Sequence, residues 1–354
     1  MRAVDPGAAV EGVGPFPQPG HLRVPPLVRR ERRVQEWEPD GDREADRGKR
    51  AERWGPPRAD LDRRTAILAS LALAAALAAA VKVFSLGLTP DRYLLVLLVP
   101  ALVLRRARWY LLDFVPFALL IVLYAESRGI AHLLHPHPFY RPQLDLERFL
   151  FAGHIPSVDL QHWLWSGTAQ WYDHALVKVT KLHFIVPPLL AFALWVRRRA
   201  LFYRFAASML VLSFAGALTF LVFPAAPPWA AAQTGLIDPI SKLPIPHDAV
   251  AASSLPSTMS SVSITRVVAK NPYAAVPSLH GGYAFLVFLF VALPLWKTRW
   301  RWLIPLAALY PLVQSFAVVY TANHYVVDLL IGFAYAAASV YGVRWFWRRR
   351  GWPE

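Results

Sequence analysis

The sequence predicts an all-α polytopic membrane protein, a helical bundle of about six core transmembrane helices with two further ones ahead of them. Of the 354 residues, 56% are hydrophobic and 17% charged, against about 45–50% and about 25% in a soluble globular chain. The apolar excess is gathered into long runs from Thr65 onward, with short charged stretches between them. The basic residues follow those runs with one parity, as expected of a chain threaded through a bilayer.

Residues 1–64 come first. They are rich in Pro, Gly, Arg, Asp and Glu and show no sustained apolar period. Such a segment buries too little surface to offset its ordering entropy, so a disordered cytoplasmic tail is expected. No apolar core follows the initial residues, so a signal peptide is not expected. The tail holds 14 Lys/Arg against 12 Asp/Glu, and residues 65–354 hold 24 against 11. The net charge of +15 therefore belongs to the membrane part, and a nucleic-acid partner is not expected. A tether working through the near-balanced tail has little to recommend it.

The apolar runs fall at about 66–84, 92–104, 109–125, 183–196, 203–223, 282–296, 302–321 and 325–346. Several are shorter than the ~20 residues a span needs and must borrow flanking residues. Leu94 to Leu104 could form half of a tight pair with the run that follows. The organisation expected is a tail at 1–64, N-terminal transmembrane helices at 65–130, a membrane domain at 131–347 and a cytoplasmic end at 348–354. One set of connections carries 14 basic residues, from Arg105 to Arg350, with Asp113 and Glu354 as the nearby acids. The opposite set carries 10 basic and 9 acidic residues. Positive charge stays inside. Both termini are thus expected in the cytoplasm of a multi-pass plasma-membrane protein, and loops 126–182 and 224–281 outside.

The absence of cysteine excludes disulfides, cysteine-ligated metal and thiol catalysis. Loop 126–182 carries His132, His135, His137, His154, His162 and His174, with Trp163, Trp165, Trp171 and Tyr172 suited to a segment on the membrane surface. Those histidines lack a compact helical pair with a carboxylate, so no metal is expected.

Two stretches carry chemistry. Ala275-Val276-Pro277-Ser278-Leu279-His280-Gly281-Gly282 runs straight into an apolar helix, and Tyr320 to Asp328 runs into the last one. In the expected topology both lie at outer helix ends, so they can meet at one membrane face. Pro277 and Ser278 suit a helix start, and Gly281 and Gly282 let backbone come close to a ligand. Free N–H groups at a helix start favour a phosphate, and His280 within them can act as nucleophile or proton donor. His324 and Asp328 are spaced i, i+4 and share a helix face. A carboxylate on one ring nitrogen fixes the tautomer and raises the basicity of the other. An ionisable residue at the edge of a span costs ~2.5–3.5 kcal/mol and is a functional candidate by default.

Pro277-Ser278-Leu279-His280 and His324-Tyr325-Val326-Val327-Asp328 resemble the second and third signature motifs of the type 2 phosphatidic acid phosphatase superfamily. Leu146 to Pro156, His183 to Pro188 and Phe223 to Trp229 are similar to its inositol phosphorylceramide synthase-like branch, so the resemblance spans roughly residues 140–345. It implies a membrane enzyme acting on a phosphorylated lipid, without a cofactor or an obligatory metal. It further implies His324 as nucleophile oriented by Asp328, His280 as general acid, and water or an alcohol such as inositol as acceptor. Ser278, the Gly281 amide and Lys270 are the candidate phosphate binders.

Two features depart from the family pattern. Its first motif has a lysine seven residues ahead of an Arg-Pro pair, and here Arg141-Pro142 has Leu134 in that place. Its third motif has an arginine six residues before the histidine, where this chain has Val318. The phosphate-binding cations are thus unassigned, with Arg266, Lys270, Lys178 and Lys181 candidates by location. The rival from another class is a non-catalytic transporter or scaffold. An internal repeat or broken midplane helices would favour a transporter, and the sequence shows neither.

Overall fold

The computed structural model describes residues 62–84, 90–134, 137–243 and 271–352. The expected tail, up to residue 61, lies outside the described residues, as do His135, Arg266 and Lys270. Among the described residues the chain is helical, with no named strand. Helices α1 (Arg63–Phe84), α2 (Pro90–Val103) and α3 (Ala107–Leu134) lead. Three short helices follow: α4 (Arg141–Leu150), α5 (Pro156–Leu164) and α6 (Trp171–Thr180). Then come α7 (Leu182–Arg197), α8 (Arg199–Val222) and the short α9 (Pro228–Gln233). Helix α10 (Leu279–Leu295), a 3-10 turn (Arg299–Leu303), α11 (Ile304–Tyr320) and α12 (Val326–Arg349) complete the order.

Each apolar run of the sequence coincides with one of these helices. Ala107–Gly129, Arg199–Val222, Arg299–Tyr320 and Val326–Arg349 are each long and apolar enough to cross a membrane. Helices α6 and α7 qualify only together and are bent by 47° at their junction, and Arg64–Ala79, Arg92–Val103 and Leu279–Leu295 are shorter apolar helices. Segment 126–182, read above as a loop, is mostly helical, because α3 continues to Leu134 and prolines at the first helical positions start α4 and α5. Trp163 and Trp171 on that segment are exposed.

Helix α10 is the hub and packs against α7, α8, α11 and α12. Lipid is as apolar as leucine, so helices in a bilayer are held by close packing and by hydrogen bonds. Glycines allow both here. A Cβ on Gly281 would meet Leu329 at 2.6 Å and Phe333 at 3.2 Å, and one on Gly282 would meet the Gly332 carbonyl at 3.3 Å. A Cβ on Gly332 would run into the Ser278 carbonyl. The Ser278 amide donates to the Asp328 carbonyl at 2.9 Å, locking the starts of α10 and α12 side by side.

A second lock sits at the other end of α3. Buried Asp113 accepts from Arg199 at 2.5 Å through both oxygens, from Trp195 Nε1 at 2.8 Å and from the Tyr203 hydroxyl at 2.5 Å. A buried carboxylate is tolerated only when its acceptor sites are filled this fully. The arrangement pins α3 to the α7–α8 corner, beside a stack in which Phe114 lies against Tyr110 and Phe202 at 4.5 and 4.7 Å.

Gly332→Ala should cost ~1–3 kcal/mol through overpacking, seen as a melting temperature lowered by several degrees in detergent. Gly342→Ala, where an added Cβ meets nothing within 4 Å, should melt like the parent.

Candidate functional site: a histidine cluster at one end of the bundle

Three segments build the site. The loop before α10 is clipped in place by extended backbone: Phe139 N donates to the Pro224 carbonyl at 2.7 Å, Ala226 N to Phe139 O at 2.8 Å and Ala275 N to Ala225 O at 3.2 Å. Buried Gln143 seals the clip by donating to the carbonyls of Phe139 and Ala226. The Val276–Pro277 peptide is cis. Ser278 then caps α10, its hydroxyl accepting from Gly281 N at 3.4 Å. On the other side, α11 ends in a tight turn in which Ala322 takes a left-handed conformation (φ 58°) and the amides of Asn323 and His324 both reach the Val318 carbonyl. His324 is thereby aimed at the start of α10.

The two sequence motifs meet. His280 Nδ1 and His324 Nε2 are 2.9 Å apart. His324 Nδ1 lies 3.1 Å from the Ala275 carbonyl and 3.5 Å from Asp328 Oδ2. A carbonyl oxygen only accepts, so Nδ1 of His324 carries the hydrogen and Nε2 carries the lone pair. Nδ1 of His280 must then be the donor to that lone pair. Asp328 is fully buried, accepts from Tyr325 N at 2.9 Å through Oδ2, and leaves Oδ1 without a hydrogen-bond partner. His280 is only part buried, so the pair opens to the outside through it.

A third imidazole completes the cluster. His183, at the start of α7, lies with its ring 4.1 Å from that of His280, and its Nδ1 donates to the Thr180 carbonyl at 2.5 Å. Its trace in the sequence was its place in the His183 to Pro188 stretch that resembles the synthase-like branch. Glu147 is a further participant that sequence reasoning passed over. Its two oxygens accept from Val326 N at 3.0 Å and Val327 N at 2.9 Å, capping the helix that carries Asp328. Burial pushes its carboxyl above the ordinary range, and the two amide bonds pull the other way. A carboxylate at a helix N-terminus also faces the positive end of the macrodipole.

Other sequence candidates stand apart. Lys178 and Lys181 are exposed. Arg141 is exposed at the start of α4. Val318 is fully buried in an apolar cluster with Val319 and Leu329, leaving no room for a cation there. His137, His154, His162 and His174 are exposed, and His154 pairs with Asp159 at 3.4 Å. Among the described residues no group of three His, Cys, Asp or Glu is placed to hold a metal ion. Ser278 and Gly281 do join the cluster, but the Gly281 face meets α12 and its amide already has the Ser278 hydroxyl.

Fold and site together define an all-helical polytopic membrane protein with paired imidazoles, backed by a buried carboxylate, at one end of its bundle. The chain belongs to the PAP2 superfamily, whose family model matches residues 144–342, more than half of the chain. It is also 27% identical over 180 residues to a phosphoinositol dihydroceramide synthase of Bacteroides thetaiotaomicron, over 46% of this chain and 56% of that protein. The chain thus spans little more than half the length of that relative. No solved structure matches it.

Glu147→Ala should destabilise the fold by about 2 kcal/mol, the scale of charge-assisted hydrogen bonds lost from a buried helix start. Glu147→Gln, which keeps one acceptor oxygen, should lose about half of that. Melting curves of the two variants in detergent check the order.

Proposed function

We propose that the chain is a membrane-embedded lipid phosphatase or phosphotransferase working through a histidine nucleophile. The observation that carries this reading is the His280–His324 pair, 2.9 Å apart, with the Nε2 lone pair of His324 directed at the ring that would hand on the proton. His324 Nε2 attacks the phosphorus of a phosphorylated lipid. An N–P bond forms, the P–O bond to the leaving group breaks, and His280, entering the step as the imidazolium, gives a ring proton to the departing oxygen and is left neutral. Asp328 and the Ala275 carbonyl hold the His324 ring through Nδ1 and stabilise the positive charge that builds there. In the second half, water or an alcohol loses its proton to His280 and attacks phosphorus, the N–P bond breaks, and His324 is restored. Ser278, the Gly281 amide, once it gives up its 3.4 Å contact with the Ser278 hydroxyl, and Lys270, which lies outside the described residues, are the proposed phosphate contacts. In-line transfer needs mainly such positioning and charge neutralisation.

The name of the Bacteroides relative contains a phosphoinositol group, which favours transfer of a phospho-head group with an alcohol such as inositol over simple hydrolysis. The arginine-rich helix ends at the far side of the bundle support a plasma-membrane orientation with both termini cytoplasmic and the site on the extracytoplasmic face. The substrate then enters sideways from the bilayer.

Purified protein offered phospholipids and isoprenoid phosphates, with and without EDTA, should turn over one class and be indifferent to the chelator. His280→Ala should lower the rate about 10²–10⁴-fold, and His324→Ala should abolish it. A ³²P-labelled substrate should leave an acid-labile, base-stable label on wild type and none on His324→Ala. Adding inositol separates a transferred product from released phosphate. Folded variants that match wild type on an active substrate would overturn the reading.

A further inference from the structure

We infer that Arg128 is the cation that receives the phosphoryl oxygens at the histidine cluster. This rests on the reading above that the site handles a phosphorylated head group. Arg128 lies near the outer end of α3, within the apolar stretch Ala107–Gly129. A guanidinium there is costly and calls for a reason.

Its surroundings give one. Arg128 is half-buried. Tyr124, one helical turn before it, lies in the same buried cluster as Tyr283, whose ring stacks on that of His183 at 6.4 Å, and the charge of Arg128 is felt at His183 and His280. The Tyr283 hydroxyl pairs with that of Ser213 at 2.7 Å. From the other side, Asn271 Nδ2 donates to the Arg128 carbonyl at 3.1 Å, while Asn271 Oδ1 accepts from Tyr273 N at 2.9 Å. The backbone of Arg128 is therefore tied to the segment that leads into Pro277-Ser278-Leu279-His280.

What is missing is an anion. Among the described residues no carboxylate forms an ion pair with Arg128. Glu126, two residues back, projects from another face of the helix, and its buried Oε2 has no hydrogen-bond partner. Arg199 of the same bundle has Asp113. A buried cation is retained when something pairs with it, and the flat fork of a guanidinium matches two nonbridging phosphoryl oxygens. With Val318 buried among apolar side chains and Arg141 exposed, the cation reaches the site from α3 instead.

Two readouts test this on the purified full-length chain. The first is thermal stabilisation by inorganic phosphate against chloride of equal ionic strength. Wild type and His324→Ala should both be stabilised, Arg128→Lys partly, and Arg128→Gln not at all. The second is turnover on the active lipid, where Arg128→Gln should lose about 10²–10³-fold in kcat/KM, the scale of one removed transition-state donor. Arg128→Lys should lose less. If no lipid is turned over, the proposed function fails, and the phosphate readout alone decides the anion site. Wild-type protein indifferent to phosphate, or Arg128→Gln equal to wild type in both readouts, overturns the inference. Should Arg128→Gln not fold, Arg128→Lys decides by the same comparisons, equality with wild type in both counting against it.

Discussion

The close approach of α10 and α12 sets the separation of the two reactive imidazoles. His280 is the second residue of α10 and His324 stands just ahead of α12, so neither ring can be placed before the helices are. Gly332 lets the Ser278 carbonyl lie against its backbone, and the Ser278 amide answers by bonding to Asp328. A side chain at Gly332 would run into the Ser278 carbonyl and push apart the helix starts that carry the two rings. Steric constraint at a residue with no chemistry of its own thus governs the residues that have it.

Asp113, Glu147 and Asp328, three of the buried carboxylates among the described residues, hold the rest of the frame, each by a different physical route. Asp113 is neutralised by a guanidinium and two further donors and joins helices far from the site. Glu147 is held by backbone amides at a helix start. Asp328 touches His324 and one amide and keeps an oxygen without a partner. The first two are saturated and serve to fix geometry. The third is under-satisfied, the condition in which a carboxylate can respond to charge appearing on its neighbour.

The apolar runs, short as several are, marked the helices that coincide with them, because burial in lipid leaves no choice of backbone conformation. The pairing of His280 with His324 was legible through their matching positions ahead of two apolar runs. Glu147 and Arg128 were not, since each acts on residues far off in the chain: Glu147 on Val326 and Val327, Arg128 on His183 and His280. Nothing in their local sequence distinguishes them from surface charges. Gly281 was legible as a site of close approach, but α12 is among the things it approaches. The short helices between 141 and 180 escaped because their apolar positions are few and their starts are set by proline.

The bend between α6 and α7 has a consequence for the chemistry beside it. In an unbroken helix the Thr180 carbonyl would be consumed by the amide one turn on. Here it is released, and it accepts from His183 Nδ1 and from Gln314 Nε2 at 3.0 Å. The break in the span therefore decides which nitrogen of His183 bears its hydrogen. It leaves Nε2 as an acceptor among the cluster's rings. Straightening the helix would take that carbonyl away and release the His183 tautomer without altering a single side chain.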